Sequence, residues 1–101
     1  MSGPHDEWLT LKGRTEQARV DFIRTDLDAC NTFVTVAETA YSMDHLEHAE
    51  AIRAKAEKGY SDMFRYFSQT TGLTPEVESE LQSKLQQLRE RLDGLQRFRE
   101  S

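Results

Sequence analysis

Two histidines, His45 and His48, lie three residues apart in a stretch that also carries Asp44, Glu47 and Glu50. Imidazole nitrogens and carboxylate oxygens bind zinc and related ions, so the first turn of a helix over these residues could hold a metal. Known helical metal motifs differ from this pattern, because zinc hydrolases space their histidines four apart and di-iron bundles add inward-facing glutamates. We therefore favour solvated polar residues over a metal site at His45 and His48, and we predict no cofactor.

The same segment predicts an acidic end of the molecule. Glu38, Asp44, Glu47 and Glu50 follow one another with no Lys or Arg between them. A surface of this kind could attract a basic partner, although an acidic surface is more commonly just solvated. We favour the solvated interpretation.

No pattern of catalytic residues accompanies these side chains. The sequence contains no Ser-His-Asp or Cys-His arrangement that spacing can place, no phosphate-binding glycine loop and no nucleotide-binding fingerprint. Cys30 is the only cysteine, which excludes an internal disulfide and is compatible with a reducing compartment. We expect a protein that is not an enzyme, in which Cys30 is a small apolar residue on a buried helix face.

Composition limits the architecture and the partners. A chain of 101 residues forms one domain at most, and a content of 37% hydrophobic and 31% charged residues suits a helical bundle with solvated outer faces. The net charge of -5 argues against sequence-independent binding of nucleic acid, which needs a basic surface. No stretch reaches the roughly 18 continuous apolar residues of a membrane span, and the N-terminus has no signal-peptide pattern. We therefore expect a cytoplasmic protein that binds neither nucleic acid nor membrane.

Helical periodicity divides the chain further. Residues 1–13 show no sustained period and are predicted to form a flexible N-terminal segment, in which Trp8 covers one end of the bundle or, alternatively, contacts a partner.

The pattern of a first helix begins near Thr15. Its apolar residues step by three and four: Val20, Ile23, Leu27, Cys30, Val34, Ala37 and Tyr41. Phe22 and Val36 widen this face, so we expect the helix to contact two neighbours.

Two further helices follow. The period breaks at Asp44, which we interpret as the N-terminal cap of a second helix with apolar residues Leu46, Ala49, Ile52, Ala56, Tyr60, Met63, Phe64 and Phe67. Gly72 is suited to a left-handed residue after this helix, and Thr74 and Pro75 are suited to the cap and the first position of a third. The third helix carries one narrow seam: Val77, Leu81, Leu85, Leu88, Leu92 and Leu95. Charged residues of the first helix, Arg24 among them, are assigned to its solvated outer face.

These elements predict an all-α fold. Short connections between long helices favour an antiparallel up-down-up three-helix bundle, with the third helix in the groove between the first two. Residues 14–101 would form this single domain.

The break between the first two helices resembles a tetratricopeptide-type helical hairpin. The matching residues are small or hydrophobic ones at the helix crossing and just after the turn: Ala37, Ala40, Tyr41, Leu46, Ala49 and Ala56. Asp44 stands where that family usually has glycine, and Arg53 stands where it usually has an aromatic residue. The resemblance covers about a third of the chain without a second copy, so it implies a hairpin rather than the peptide-binding groove of a repeat array. The whole chain is also similar to small bacterial helical proteins with such a hairpin, which implies no activity.

Aromatic residues concentrate near the end of the second helix: Tyr60, Phe64, Tyr66 and Phe67. Helical spacing allows Tyr60 and Phe64 to point inward with Phe67, whereas Tyr66 lies off that line. Core packing is the favoured interpretation of this cluster. The alternative is an interaction surface that binds a partner or a second copy.

We accordingly expect a small cytoplasmic interaction or scaffold module that binds another protein or its own copy. The alternative is a carrier of a small ligand or metal that uses the bundle interior or the turn at His45 and His48. The sequence leaves open whether the apolar face of the first helix is fully covered within one chain.

Overall fold

The computed structural model describes the backbone of residues 4–100 and the side chains of residues 17–98. It contains three helices, α1 over Pro4–Ser42, α2 over Leu46–Gln69 and α3 over Pro75–Glu100, and no strand in the described backbone. Each helix is far longer than its connection to the next, so the helices lie side by side. The all-α fold expected from the sequence is confirmed.

Cross-helix contacts show how the helices run. Phe22, in the first half of α1, packs against Tyr66, close to the end of α2, so these two helices are antiparallel. Arg24 of α1 bonds Glu80, close to the start of α3, so α1 and α3 run in the same direction. The third helix contacts both of the others and lies in the groove between them. The up-down-up three-helix bundle is therefore confirmed.

The core is built from the seams that the periodicity predicted, except that Leu46 and Phe64 of the predicted α2 face are exposed. Every residue of the α1 seam is buried, from Val20 to Tyr41. α2 contributes Ala49, Ala56 and Met63, and α3 contributes the leucines of its seam: Leu81, Leu85, Leu88, Leu92 and Leu95. Each fully buried leucine stabilises the fold by about 1.5–3 kcal/mol relative to an exposed one. The leucine seam of α3 is thus buried within a single chain.

The bundle is elongated, measuring 65 × 22 × 16 Å along its principal axes. This shape follows from long helices packed side by side, because each residue of an α-helix adds about 1.5 Å to its length. In the part of the chain that the structure describes, no helix combines the length and apolar character needed to span a membrane.

Asp44 ends α1 and does not cap α2. Its φ of 63° lies in the left-handed region, and no other non-glycine residue of the described chain has a positive φ. The Asp44 N–H donates to the Tyr41 carbonyl at 3.1 Å, and the His45 N–H donates to the Ala40 carbonyl at 2.9 Å. These two bonds form the Schellman motif that ends many helices.

The N-cap predicted for Asp44 is therefore wrong. His45 occupies the N-cap position of α2 and makes no side-chain cap hydrogen bond. The turn requires a left-handed residue directly after α1, and aspartate is one of the few non-glycine residues that tolerates this conformation. The tetratricopeptide family, which this hairpin resembles, usually has glycine at the same position.

The second connection agrees with its prediction. Gly72 has a φ of 83°, which glycine adopts without steric cost. Thr74 caps α3, because its Oγ1 accepts the Val77 N–H at 3.3 Å. Pro75 is the first residue of that helix, where its missing N–H removes no helical hydrogen bond.

The first helix is longer than its apolar pattern indicated. α1 begins at Pro4, whereas the periodicity predicted a start near Thr15, so that start is wrong. A helix can continue without a periodic apolar face, and Pro4 at the first position is a start signal that the periodicity did not use. The role of Trp8 and the flexibility predicted for residues 1–13 lie outside the described side chains.

Candidate interaction surface

The four aromatic residues of α2 lie on two different sides of the helix. Tyr60 lies under the guanidinium group of Arg89, 5.0 Å from the ring centre, on the side that faces α3. Phe64 is next to Tyr60, with 6.0 Å between the ring centres. Tyr66 lies on the other side and meets Phe22 of α1 edge to face, at 5.3 Å. The structure therefore does not bring the predicted cluster together as one surface.

The inward and outward positions of two of these aromatic residues are reversed. Phe64, expected to point inward, is 52% exposed, and it borders a shallow depression with Ser61, Arg65 and Ser68. Tyr66, expected to lie off the core, is half-buried against it. The reason is that α2 packs against α1 over the flank that carries Tyr66, a choice that the spacing within α2 alone does not make. Phe67 packs against the core as expected.

His45 and His48 are both exposed and line a shallow depression at the turn. Within residues 17–98, no group of three or more His, Cys, Asp or Glu side chains is placed to hold a metal ion. Of the carboxylates predicted to make this end acidic, Glu38 bonds Arg91 at 2.7 Å and Glu50 lies 3.6 Å from Arg53. Part of the acidic charge is thus paired.

The bundle interior is filled by apolar side chains. Among residues 17–98, no polar or charged residue is buried. A pocket for a small ligand needs a few polar groups to orient its occupant, and the buried polar atoms of the described residues include Tyr41 Oη and Arg53 Nε. Burial raises the pKa of the Cys30 thiol, with further contributions from Asp26 and Asp62, so this thiol stays protonated and is a poor nucleophile.

Charged pairs that the sequence did not predict tie α3 to both other helices. Arg24 donates two hydrogen bonds to Glu80, each of 2.8 Å, although it had been assigned to the solvated face. Arg89 donates two bonds to Glu57 of α2, at 2.9 and 2.8 Å. Bidentate pairs of this kind fix the register of neighbouring helices. No signal in one sequence identifies them, because the partners lie far apart along the chain.

Arg91 makes the remaining link between α3 and α1. Its guanidinium group donates to the Asn31 side chain at 2.9 Å, to the Thr35 hydroxyl at 3.0 Å and to Glu38 at 2.7 Å. These contacts, with that of Arg24, define the side of α1 that α3 covers.

A second row of residues runs along α1 on the side that faces away from α3. We call it the outer stripe; its members step by three and four along the helix: Ala18, Phe22, Thr25, Ala29, Thr32, Val36, Thr39 and Met43. All are exposed except Ala29, which is half-buried. None is charged, although 31% of the residues in the chain are. The stripe is therefore a solvent-facing seam with the heptad spacing of a helix-packing surface.

The outer stripe presents little polarity to solvent. Thr32 donates its hydroxyl to the Asp28 carbonyl and Thr39 donates its hydroxyl to the Thr35 carbonyl, each at 3.1 Å. Such bonds within the helix satisfy the hydroxyl groups, so a partner could cover them without breaking a bond to the protein. Phe22, Val36 and Met43 add the apolar area, with exposures of 49%, 38% and 59%.

α2 carries a row of charges on the same face of the hairpin. We call it the charged stripe: Glu47, Ala51, Lys55, Lys58, Asp62 and Arg65, all exposed. Gly59 is the residue at which α2 touches α1. Lys55 lies four residues before Gly59 and Asp62 lies three residues after it, so both are neighbours of this contact on the helix surface. The charged stripe therefore lies beside the outer stripe. In the described residues, none of its charged side chains forms an ion pair, whereas Arg24, Arg89 and Arg91 all do.

No protein-family model, curated protein or solved structure matches the chain. The outer stripe was only partly anticipated, because the sequence marked Phe22 and Val36 as widening the apolar face of α1. Counting uncharged residues at heptad spacing would have found the whole row.

Proposed function

We propose that this protein is a small cytoplasmic interaction module without catalytic activity, which binds another protein or its own copy through the outer stripe. The observation that carries this proposal is the uncharged, solvent-facing heptad row from Ala18 to Met43. Interface centres are depleted in charged residues, whereas the rest of a protein surface is not. An exposed apolar row on a helix that already packs on its opposite side is typical of a surface that another helix covers.

Energetic considerations support the same assignment. Phe22, Val36 and Met43 are each exposed by about half, so covering one of them would contribute on the order of 1 kcal/mol. The hydroxyl groups of Thr32 and Thr39 keep their bonds within the helix, which lowers the cost of removing water from them. A partner helix would thus gain apolar contacts along the whole row with few polar groups left unsatisfied.

The likeness to a tetratricopeptide hairpin also agrees with an interaction role. Its small residues, Ala37, Ala40, Ala49 and Ala56, are buried where α1 and α2 cross. α3 lies in the groove on one face of this hairpin. The opposite face of the hairpin, with the outer stripe and the charged stripe, is the surface that we assign to a partner.

Two variants at similarly exposed positions test the assignment. Val36→Glu places a charge in the outer stripe, and Phe64→Glu places one in the aromatic cluster on the other flank of α2. Tagged wild type and both variants are purified from the native cells, bound proteins are identified by mass spectrometry, and solution mass and circular dichroism are recorded in parallel. We expect Val36→Glu to abolish association and Phe64→Glu to preserve it.

The opposite pattern would move the binding surface to Tyr60 and Phe64. A folded wild type that stays monomeric and captures no protein would contradict the interaction role itself.

A further inference from the structure

We propose that the occupant of the outer stripe is the outer stripe of a second copy, with the two α1 helices antiparallel about a two-fold axis between Ala29 and Thr32. This inference rests on the proposed interaction function and names its partner. It follows from three features: the order of large and small residues along the outer stripe, the order of charges along the charged stripe, and the length of the outer stripe.

Side-chain sizes along the outer stripe complement their own reversed order. An axis between Ala29 and Thr32 makes the following pairs between the two copies: Ala29 with Thr32, Thr25 with Val36, Phe22 with Thr39, and Ala18 with Met43. In the two outermost pairs, Phe22 and Met43 each meet a smaller side chain, as interdigitating helices require, whereas Thr25 and Val36 are similar in size. At the axis itself, Ala29 and Thr32 are both small, which allows the two helices to approach closely.

The charged stripe follows the same symmetry. A two-fold axis perpendicular to α1 leaves both α2 helices on the same side of the α1 pair, so the two charged stripes also face each other. Gly59 lies beside Cys30, at nearly the same level along the bundle as the axis. On α2, the level of the axis is therefore close to Lys58. Reversing the row about that point places Ala51 opposite Arg65 of the second copy.

The same reversal places Lys55 opposite Asp62 of the second copy. These side chains have no ion-pair partner within the described residues of their own chain, and the second copy would supply one. Lys58 would meet its own counterpart, and its long side chain can extend to solvent past the contact. The Lys55–Asp62 pair, formed twice by the symmetry, favours the antiparallel arrangement.

The length of the outer stripe agrees with a dimer. A standard interface buries roughly 800 Å² on each partner. The outer stripe is about 38 Å long, which provides a continuous contact of the required size.

Sedimentation and light scattering over a concentration series test the association. We expect a reversible dimer whose Kd rises by roughly tenfold or more in Thr32→Glu, because the glutamates of both copies then meet close to the axis. Gln82→Glu, at an exposed position of α3, is the matched control and should leave the Kd unchanged. Asp62→Lys should also weaken the dimer, and Lys55→Asp in the same chain should restore it by exchanging the charges.

Cysteine cross-linking tests the orientation. Chains with Thr25→Cys and chains with Val36→Cys should form a mixed disulfide when combined, while each variant alone should cross-link poorly. Efficient cross-linking within either single variant would indicate parallel helices and overturn the proposal.

A monomer at all concentrations, or a dimer insensitive to Thr32→Glu, would also overturn it. A monomer that loses a different protein partner on Val36→Glu would refute the second copy as occupant and leave the interaction function standing.

Discussion

Gly59 of α2 lies so close to Cys30 of α1 that a Cβ atom at position 59 would overlap the Cys30 sulfur. This contact, at the middle of the hairpin, sets the distance between the two helices. Gly59 is therefore retained inside a helix although glycine costs about 1 kcal/mol there relative to alanine.

Replacing this glycine should destabilise the fold. For Gly59→Ala we expect a net loss of about 1–3 kcal/mol of unfolding free energy, because overpacking at Cys30 outweighs the gain in helix propensity. Urea unfolding followed by circular dichroism measures the change. Combining Gly59→Ala with Cys30→Ala should recover much of the loss, since the new methyl group then occupies the space of the sulfur. A more stable Gly59→Ala single variant would contradict the close contact.

Gly94 provides the matched comparison within α3. A Cβ atom at this position would meet nothing within 4 Å. Gly94→Ala should therefore stabilise the protein by about 0.5–1 kcal/mol through helix propensity alone. Thermal unfolding of Gly94→Ala beside Gly59→Ala should show shifts of opposite sign, and shifts of the same sign would mean that local packing does not distinguish the two sites.

The left-handed residue at the end of α1 makes a further prediction. Asp44→Gly should stabilise the protein by about 0.5–1 kcal/mol, because glycine adopts a φ of 63° without the steric cost that a side chain brings. Asp44→Val should destabilise it, since a β-branched residue is strained in this region. Chemical denaturation of the three proteins gives the order, and a loss of stability in Asp44→Gly would indicate that the carboxylate itself supports the turn.

The pair of Arg24 and Glu80 predicts a dependence of stability on pH. Hydrogen bonds from Arg24 hold the pKa of Glu80 below its usual value of 4.5. A carboxyl group whose pKa is lower in the folded state contributes stability above the unfolded pKa, and that contribution disappears as the pH falls through the folded pKa. The stability difference between wild type and Glu80→Gln should therefore be largest near neutral pH and should shrink below about pH 4.5.

Unfolding free energies of both proteins across acidic pH measure this effect. The control is the same substitution in an Arg24→Gln background, where Glu80→Gln should have a much smaller pH-dependent effect. A difference between wild type and Glu80→Gln that stays constant through the acidic range would show that the pair does not lower the pKa of Glu80 enough to affect folding.

Local periodicity was sufficient for the number of helices and for the buried seams of α1 and α3, but not for the start of α1. Apolar residues at steps of three and four lie on one side of a helix whatever its neighbours are, so residues from Val20 to Tyr41 were assigned to the core correctly. The cap at Thr74 and the start of α3 at Pro75 could also be predicted from the sequence, because both depend on residues adjacent in the chain.

Only the packed bundle decided which flank of each helix meets which neighbour. Tyr66 is covered and Phe64 is exposed because α2 turns one flank toward α1, and Arg24 finds Glu80 because α3 runs alongside α1. The outer stripe is exposed for the same reason, since α2 and α3 cover other sides of α1. These relationships join residues far apart in the chain, and their geometry is set by how three helices share one core, which no local pattern encodes.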